Sequence, residues 1–518
     1  MWAMTTFSAV VTTGIYCRPG CGARPLLTNC RTYELAAAAE ADGFRACLRC
    51  RPYRLAAPIG AESPELVCRA WQMIIDGVLD EGTEAELAER VGLSARHLRR
   101  LFVKYVGASP DQLARSRRAH FARRLLDDTD LTILDVAFAS GFGSLRQFNR
   151  SMQEVFRNSP SDLRRRRHRA DRLVTDGGLA LRLPVEPGYD WDAVRGFLAV
   201  RAAPGVEAVD GDTYRRTVGV EGAPGVLEIA PGGPGWLLLR AHLPYWEGLI
   251  HVVDQAGRLV GADADPSAGV RALVADPVLG PLVKARPGLV VPGAWSPFET
   301  GVQAILSRGG RSRETVRGWL AAIVTGLGTP VPGLPDGLTH MFPDAGAVTA
   351  DALAAIGLPD RDARMITALA AAVAAGHPAL RPGTSVTALA DMPWADPAQE
   401  AGPAQEADPA QEAGPAQEAD PARDADPARD ADPARDADPA QPEAGPAWTD
   451  PDLTWAEVDL RHAVAFRLGA REAFPRADAS LGAALADLGI DHQGAPPGEW
   501  PWPALAAVHL MVHGDGLR

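Results

Sequence analysis

The segment "EAELAERVGLSARHLRRLFVKYVG", residues 84–107, indicates the architecture of the N-terminal half. Apolar Leu87 and Val91 lie on one face of a helix that is predicted to end at Gly92. Ser94 can begin a second helix, because a serine hydroxyl at that position accepts a hydrogen bond from a backbone amide of the first turn. A helix, a short turn and a basic helix are typical of a helix-turn-helix motif. The polar face of the second helix carries Arg96, His97, Arg99 and Arg100.

The same pattern recurs in "TILDVAFASGFGSLRQFNRSMQEVF", residues 132–156. Here Ile133 and Val136 belong to the first helix and Gly141 makes the turn. A solvated basic face explains one such helix, but two at this spacing favour the reading of successive DNA grooves. The candidate DNA contacts of this second motif are Ser144, Arg146, Gln147, Asn149 and Arg150.

Four of the six cysteines form two close pairs near the N-terminus, in "TTGIYCRPGC" (12–21) and "CLRC" (47–50). The spacing is C-x3-C, then 25 residues, then C-x2-C, which can bring four thiolates to one tetrahedral Zn²⁺. On spacing alone, a purely structural zinc site is the simplest interpretation. Cys30 and Cys68 fall outside the pattern and are predicted to be ordinary small or buried residues. The candidate metal ligands are Cys17, Cys21, Cys47 and Cys50.

The charge of the chain is unevenly distributed. The net charge is −13, but residues 396–447 hold 14 acidic and 3 basic residues. Residues 89–172 hold 19 basic and 9 acidic residues, and residues 17–54 hold 7 and 3. The N-terminal third therefore has the electrostatic character of a phosphate-binding protein.

The length of 518 residues predicts three or four domains, with boundaries near 55–65, 170–178 and 288–296. The acidic tract repeats every six residues, with a proline in each repeat and no large apolar side chain, so it is predicted to be disordered and extended. Neither a signal peptide nor a run of about 18 apolar residues is present, which predicts a cytoplasmic protein.

Several of these segments resemble known families. The two helix-turn-helix motifs resemble those of the AraC family, each followed by a turn like "GASPDQLARSRR" (107–118) and "RNSPSDLRRRR" (157–167). The segments "TTGIYCRPGCGARP" (12–25) and "AAAAEADGFRACLRCRP" (36–52) resemble the methyl-accepting zinc domain of Ada-type proteins. That resemblance implies that Cys17, the first cysteine of the motif, accepts a methyl group from a DNA methylphosphotriester.

The C-terminal half resembles AlkA-type 3-methyladenine DNA glycosylases. Segments such as "LALRLPV" and "WLLLRAHL" resemble that family's N-terminal α+β domain, and residues 276–310 resemble the start of its helical catalytic domain. The resemblance implies that Leu282 wedges into the DNA stack and that Asp478 stabilises the positive charge formed as the base leaves. An aspartate at the start of a helix is, by itself, more often a helix cap.

The chain departs from the glycosylase family at three places. The glycine-rich hairpin that binds a DNA phosphate in the family is replaced by "ADMP" (390–393), the acidic repeat and "TWAEVD" (454–459), in which Glu457 and Asp459 would repel a phosphate. "SRGG" (307–310) stands where the family commonly has paired glutamines, and Met511 stands where it usually has a base-stacking aromatic residue.

The resemblances imply a multidomain protein, mainly α with α+β parts: a small zinc domain with four cysteine ligands, an AraC-type double helix-turn-helix, an AlkA-type N-terminal α+β domain and an all-α helix-hairpin-helix glycosylase domain with a disordered insert. The expected boundaries are 1–62, 63–172, 178–292 and 293–518, the last interrupted by 396–447.

The function implied is that of a bacterial adaptive-response protein, which takes up methyl groups at a zinc-bound cysteine, regulates promoters and excises alkylated purines. The expected partners are double-stranded DNA, both promoter and alkylated, and RNA polymerase. Two alternatives remain open. The glycosylase half is a catalytically degenerate remnant of a methylation-sensing activator, or the zinc is only structural and the chain is a plain DNA-binding regulator.

Overall fold

A computed structural model provides the structure of the chain. It describes residues 6–18, 21, 26–54, 64–168, 171–173, 178–308, 311–334, 337–390, 392, 455–476, 478–488, 490, 500 and 502–517. The acidic repeat 396–447, which the sequence predicts to be disordered, lies outside these residues. None of the helices in the described ranges is both long and apolar enough to cross a membrane.

The N-terminal unit is a small four-stranded sheet with one α-helix. Its strand order is β3-β1-β2-β4, and β2 and β4 are parallel. Two 3-10 turns, Leu27–Asn29 and Pro52–Arg54, complete the unit. Its elements are β1 (Phe7–Val10), β2 (Ile15–Cys17), β3 (Cys30–Tyr33), α1 (Ala36–Ala41) and β4 (Arg45–Ala46).

The second unit is helical throughout, as its sequence predicts, and contains two helix-turn-helix motifs. Both turns have a glycine with positive φ, Gly92 at 73° and Gly141 at 76°, which explains why glycine occupies them. Its helices are α2 (Glu65–Ile75), α3 (Val78–Glu81), α4 (Glu84–Arg90), α5 (Ala95–Tyr105), α6 (Pro110–Asp128), α7 (Ile133–Ala139), α8 (Leu145–Phe156) and α9 (Pro160–Arg165).

The third unit contains an antiparallel five-stranded sheet of order β5-β9-β8-β7-β6, which confirms the expected α+β character. Along β9 the buried and partly exposed side chains alternate, so one face of the sheet packs on the core. Its elements are β5 (Leu179–Pro184), α10 (Trp191–Arg201), β6 (Glu207–Asp210), β7 (Thr213–Val220), β8 (Ala223–Gly233), β9 (Trp236–His242), α11 (Leu249–Leu259), α12 (Ser267–Leu273) and α13 (Leu279–Ala285).

The fourth unit is mainly helical, with one two-stranded ribbon. Apolar faces of its helices pack around α14, which contacts both α17 and α18. Two 3-10 turns lie at Ala345–Ala347 and Thr387–Leu389. Its elements are α14 (Pro297–Ser307), α15 (Arg313–Leu327), β10 (Thr329–Pro330), β11 (His340–Met341), α16 (Ala350–Ala355), α17 (Asp360–Ala374), α18 (Trp455–Arg467), α19 (Ala479–Asp487) and α20 (Pro503–Gly514).

The units share apolar cores rather than standing apart. Leu35 and Ala38, at α1 of the first unit, are buried in the same cluster as Val67, Leu87 and Phe102 of the helical unit. This packing fixes the N-terminal unit against the first helix-turn-helix motif. The cysteine pattern and the basic helices therefore belong to one packed body.

Candidate functional sites

The four predicted cysteines converge at one point. Their sulfur atoms all lie within 4.8 Å of one another. The parallel pairing of β2 with β4 places Tyr16 opposite Ala46, and the amide of Cys47 donates to the Tyr16 carbonyl at 3.0 Å. Because parallel strands end at the same edge of a sheet, Cys17 at the end of β2 and Cys47 just after β4 meet there.

Two turns bring in the other two thiols. The amide of Cys21 donates to the Arg18 carbonyl at 3.3 Å, and the amide of Arg51 donates to the Cys47 carbonyl at 3.0 Å, which folds Cys50 back towards the cluster. Arg51 has a φ of 53°, in the left-handed region that non-glycine residues seldom adopt. The two cysteines of each pair are therefore spaced so that one tight turn brings both sulfur atoms to the cluster.

The electrostatics of the cluster favour a bound cation. Burial raises the pKa of the Cys17 thiol, and its neighbours Cys50 and Cys47 raise it further. Burial also raises the pKa of Cys50 to about 12. Burial opposes ionisation of Cys47 as well, but hydrogen bonds from the backbone at Cys50 and Arg49 lower its pKa. Four sulfurs this close cannot all be anionic without a metal, and an all-sulfur set of four suits Zn²⁺, whose tetrahedral Zn–S bonds are about 2.3 Å long.

Tyr16, the residue before Cys17, links the cysteine cluster to the second unit, which carries the two helix-turn-helix motifs. Tyr16 is fully buried, and its hydroxyl donates to Oε1 of Glu40 at 2.6 Å. Nε2 of His120, on α6, lies 2.6 Å from the same oxygen and 3.2 Å from the Tyr16 hydroxyl. Burial and Glu40 raise the pKa of Tyr16 well above its ordinary value, so the hydroxyl keeps its proton.

A second contact between the two units is ionic and buried. Asp127 of α6 is 0% exposed, lies 2.7 Å from Nη1 of Arg123 and accepts a 2.8 Å hydrogen bond from the Tyr53 hydroxyl. Arg51 lies 3.7 Å from Asp127 and 2.6 Å from Asp171. The strained Arg51 of the cysteine unit thus pairs with two aspartates that lie outside that unit.

Both candidate recognition helices begin at the serines that the sequence indicates. Ser94 accepts from the amide of His97 at 3.3 Å, and Ser144 accepts from the amide of Gln147 at 3.2 Å. His97 is half-buried, and the other predicted contacts on the two helices are exposed: Arg96, Arg99, Arg100, Arg146, Gln147, Asn149 and Arg150.

Two of these arginines are engaged within the protein. Nη2 of Arg99 lies 2.7 Å from Glu84, and Nε of Arg150 lies 2.8 Å from Glu154. Within the described residues, Arg96, Arg100 and Arg146 have no ion pair. These three side chains are therefore the freest to contact DNA.

Asp478 is both a helix cap and one half of an ion pair. Its Oδ1 accepts from the amides of Ser480 at 2.9 Å and Leu481 at 3.3 Å, at the start of α19. Nη2 of Arg201, the last residue of α10, lies 3.0 Å from both carboxylate oxygens. Burial alone would raise the pKa of Asp478, but the charge of Arg201 holds the pKa below its ordinary value. Asp478 is therefore a carboxylate at neutral pH.

The two other residues that the resemblance assigns to this site differ in exposure. Leu282 lies on α13 and packs, half-buried, against the main core, whereas Met511 on α20 is only 1% exposed. Where the family has a hairpin, α18 begins at Trp455, and Glu457 and Asp459 lie on this helix. The segment before it, including the predicted repeat, falls outside the described residues.

Sequence reasoning missed the partners that surround the two candidate reactive groups. Arg201 lies 277 positions before Asp478, and His120 lies 104 positions after Tyr16. No local pattern marks these pairs, because each is formed by the packing of two separate units. The available sequence signal is Arg201 at the end of the largely apolar α10, whereas α6, which carries His120, is rich in charged residues throughout.

Three segments match known families. Residues 3–53 match the family described as the metal binding domain of Ada, residues 87–166 match a helix-turn-helix domain, and residues 180–296 match the AlkA N-terminal domain. These segments contain the four cysteines, the two candidate recognition helices and all but the first residue of the five-stranded sheet.

Relatives extend the similarity across most of the chain. A probable bifunctional transcriptional activator/DNA repair enzyme AlkA of Mycobacterium tuberculosis is 37% identical over 372 residues, 71% of this chain and 74% of that protein. DNA-3-methyladenine glycosylase 2 of Escherichia coli K12 is 32% identical over 37% of this chain and 66% of its own length. The Escherichia coli K12 activator and repair enzyme Ada is 32% identical over 28% of this chain and 41% of its own length. This chain belongs to the family of bifunctional transcriptional activator/DNA repair enzymes.

Proposed function

We propose that this protein repairs alkylated DNA by two reactions and uses the first of them to activate transcription. The observation that carries the proposal is the cluster of four cysteine sulfurs on a unit that packs directly against a double helix-turn-helix. The protein would act in the cytoplasm, with promoter DNA, alkylated DNA and RNA polymerase as its partners.

The first proposed reaction is methyl transfer to Cys17. The Cys17 sulfur attacks the methyl carbon of a methylphosphotriester, a C–S bond forms and the C–O bond breaks. The electron pair of that bond leaves with the phosphate oxygen, which restores an ordinary phosphodiester anion. Cys17, Cys21, Cys47 and Cys50 would hold the metal, and Zn²⁺ supplies the positive charge that keeps the sulfurs deprotonated at neutral pH.

The second proposed role follows from the charge change at Cys17. A methylated sulfur has lost one negative charge, so the cluster repels DNA phosphates less and DNA binding becomes tighter. The cysteine unit shares a core with α2, α4 and α5. Tighter DNA binding by the cysteine unit therefore strengthens the DNA binding of the same packed body that carries the candidate recognition helices. The candidate base contacts remain those on α5 and α8.

The third proposed role is hydrolytic release of alkylated purines such as 3-methyladenine. The departing base leaves positive charge on its sugar, and an ionised carboxylate stabilises that charge. Asp478 meets this requirement because Arg201 keeps it ionised. Leu282 would occupy the gap left in the stack by the flipped nucleotide.

One observation favours a different role for the C-terminal half. Both oxygens of Asp478 already have hydrogen-bond donors, and Met511 is buried rather than facing a base pocket. On this alternative, Asp478 is a structural cap and the protein is a methylation-sensing activator with a non-catalytic glycosylase fold.

Methyl transfer is tested by intact mass. Zinc-loaded protein incubated with methylated duplex DNA should gain one methyl group, and Cys17→Ser should gain none. Cys30→Ser is the matched control, because Cys30 lies outside the cluster and should still allow the transfer. If the wild-type mass does not change, the zinc site is structural only.

Purine release is tested separately with DNA treated with a methylating agent. Wild-type protein should release free methylated adenine, and Asp478→Asn should reduce the rate by at least about 100-fold. Absence of release by folded wild-type protein would support the non-catalytic alternative. Methyl transfer would be unaffected in either case, because Asp478 lies in a different unit.

A further inference from the structure

The contact between Arg201 and Asp478 joins two units across the candidate glycosylase site. Nη2 of Arg201 donates to Oδ1 and Oδ2 of Asp478 and to Oγ of Ser480, all at 3.0 Å. Arg201 ends a helix of the third, α+β unit, whereas Asp478 caps the start of α19 of the fourth unit. The carboxylate is therefore oriented by a residue that lies outside its own unit.

Arg201 is itself held from other directions. Its Nη1 lies 3.2 Å from Oδ2 of Asp515, whose side chain is 0% exposed, and its guanidinium lies 3.9 Å from the centroid of the Phe197 ring. Arg313 also pairs with Asp515. A further cation, Arg467 of α18, lies with its guanidinium 5.5 Å from the centroid of the same ring and interacts electrostatically with Arg201 and Asp478. Arg201 nevertheless makes the direct contacts with Asp478, so it cannot turn away without leaving that buried carboxylate without its hydrogen-bonded cation.

The two oxygens of Asp478 are not equivalent. Oδ1 accepts from the amides of Ser480 and Leu481 and from Arg201, whereas Oδ2 accepts only from Arg201 among the described residues. The Asp478 side chain is 25% exposed. Since a carboxylate oxygen has two lone pairs, Oδ2 keeps one that is free to face a substrate.

We propose that Arg201 is a positioning residue for purine release, an inference that rests on the proposed glycosylase function. Arg201 keeps Asp478 in its charged form despite burial and turns Oδ2 towards the sugar, while Oδ1 is held by the start of α19. A cation beside the carboxylate also weakens its field at the sugar. Asp515 offsets part of that effect, because its carboxylate pairs with Nη1 of Arg201 while Nη2 contacts Asp478.

The test is the pH profile of single-turnover release from methylated duplex DNA by the full chain. Arg201→Met removes the charge and keeps an unbranched side chain about as long as the aliphatic part of arginine. We expect the release rate at neutral pH to fall by at least about 30-fold. The acid limb of the profile, where the rate falls as the pH is lowered, should move up by about one pH unit or more, because a buried carboxylate without its cation gains a proton more readily. At alkaline pH, the release rate of this variant should recover in part, because Asp478 is then ionised again.

Two further variants separate positioning from a merely structural role. Arg201→Lys keeps the charge and should restore the wild-type acid limb at a reduced rate, because one ammonium cannot donate to both aspartates as the guanidinium does. Arg195→Gln changes another arginine of α10, which donates to the Gly211 carbonyl at 2.9 Å, and should leave the pH profile unchanged. Circular dichroism and thermal melting verify that each variant is folded.

The outcomes are distinguishable. Faster release by Arg201→Met would overturn the inference, because Arg201 would then mask Asp478 rather than position it. An unchanged acid limb with Asp478-dependent release would also overturn it while leaving the glycosylase function intact. Absence of release by the wild-type protein would overturn the glycosylase function and this inference with it. If Arg201→Met does not fold, Arg201→Lys provides the test. This variant keeps the positive charge, so a shift of its acid limb away from that of the wild type would contradict the proposal.

Discussion

Nε2 of His120 lies 2.6 Å from Oε1 of Glu40, and this contact joins the long helix of the regulator to the helix of the cysteine unit. Tyr16 donates to the same carboxylate oxygen from the position next to Cys17. The His120 ring also packs against Phe156, at the end of the second candidate recognition helix, with ring centroids 5.7 Å apart. A continuous set of contacts therefore connects the proposed methyl-accepting position with a candidate recognition helix.

Loss of the Tyr16 hydroxyl should loosen this connection. Tyr16→Phe is expected to lower the free energy of unfolding by about 1 kcal/mol or somewhat more, because the buried Glu40 carboxylate loses a donor. The measurement is denaturant unfolding of the zinc-loaded protein. Tyr33→Phe is the matched control, since its hydroxyl bonds Asp42 at an exposed position and should cost much less. Equal losses in the two variants would contradict the role given to Tyr16.

Loss of the buried ionic contact at Asp127 should lower the free energy of unfolding more than Tyr16→Phe does. Asp127→Ala leaves the buried Arg123 without its aspartate and leaves Arg51 with Asp171 alone, and it is expected to cost about 3–5 kcal/mol. Asp130→Ala removes pairs with Arg167 and Arg172 at a half-exposed site and should cost about 1 kcal/mol or less. Thermal unfolding of the two variants checks the difference, and a similar small loss in both would show that the interface does not depend on Asp127.

Metal content should follow the cysteine cluster. Serine substitution of Cys21 or Cys50 should abolish stoichiometric zinc binding, because three thiolates leave the tetrahedral site incomplete. Serine substitution of Cys30 or Cys68 should leave one zinc per chain. Elemental analysis of the purified variants measures this, and retention of a full equivalent of zinc by the Cys21 variant would contradict a four-sulfur site.

Promoter binding should depend more on Arg146 than on Arg150. Arg146→Ala is expected to cost about 1–3 kcal/mol of specific binding, because its side chain is free within the described residues and exposed on α8. Arg150→Ala should cost less, since that guanidinium already pairs with Glu154. Binding titrations at several salt concentrations test this order, and a larger loss with Arg150→Ala would show that DNA displaces Glu154.

Two buried histidines should make the glycosylase half sensitive to acid. Burial lowers the pKa of both His462 and His509 from the ordinary 6.5 to about 4. The unfolded chain therefore binds more protons than the folded protein between these values, so stability falls as the pH drops from about 6.5 to about 4. Nδ1 of His462 accepts from the amide of Phe474 at 3.0 Å, which also requires a neutral ring.

His509 offers the cleaner test of this acid sensitivity. Its Nε2 is buried with no hydrogen-bond partner among the described residues, so His509→Leu should cost little stability at pH 7. The variant should lose less stability than the wild type between pH 7 and pH 5 in denaturant unfolding. An unchanged pH dependence would mean that His509 is not protonated on unfolding in this range.

Features formed by residues that lie close together along the chain can be predicted from the amino-acid sequence alone. The two helix-turn-helix motifs follow from apolar residues at helical spacing, a glycine in each turn and a serine three residues before the amide it caps. The cysteine spacing likewise identifies the four candidate ligands, because each pair lies within one turn. Such patterns are readable because the interacting groups are neighbours along the chain.

The groups that surround the reactive side chains are defined by tertiary packing. Asp478 could be read from the sequence as a cap or as a catalytic group, and its pairing with Arg201 exists only because α10 and α19 are brought together. The contact of Tyr16 and Glu40 with His120, and the pairing of Arg99 on α5 with Glu84 on α4, are equally invisible in the sequence. The pair of Arg150 and Glu154, by contrast, has the i, i+4 spacing of a single helix. Contacts between units depend on the packing of whole apolar faces, and the position of an ionisable side chain in the sequence does not specify which face of another unit it will meet.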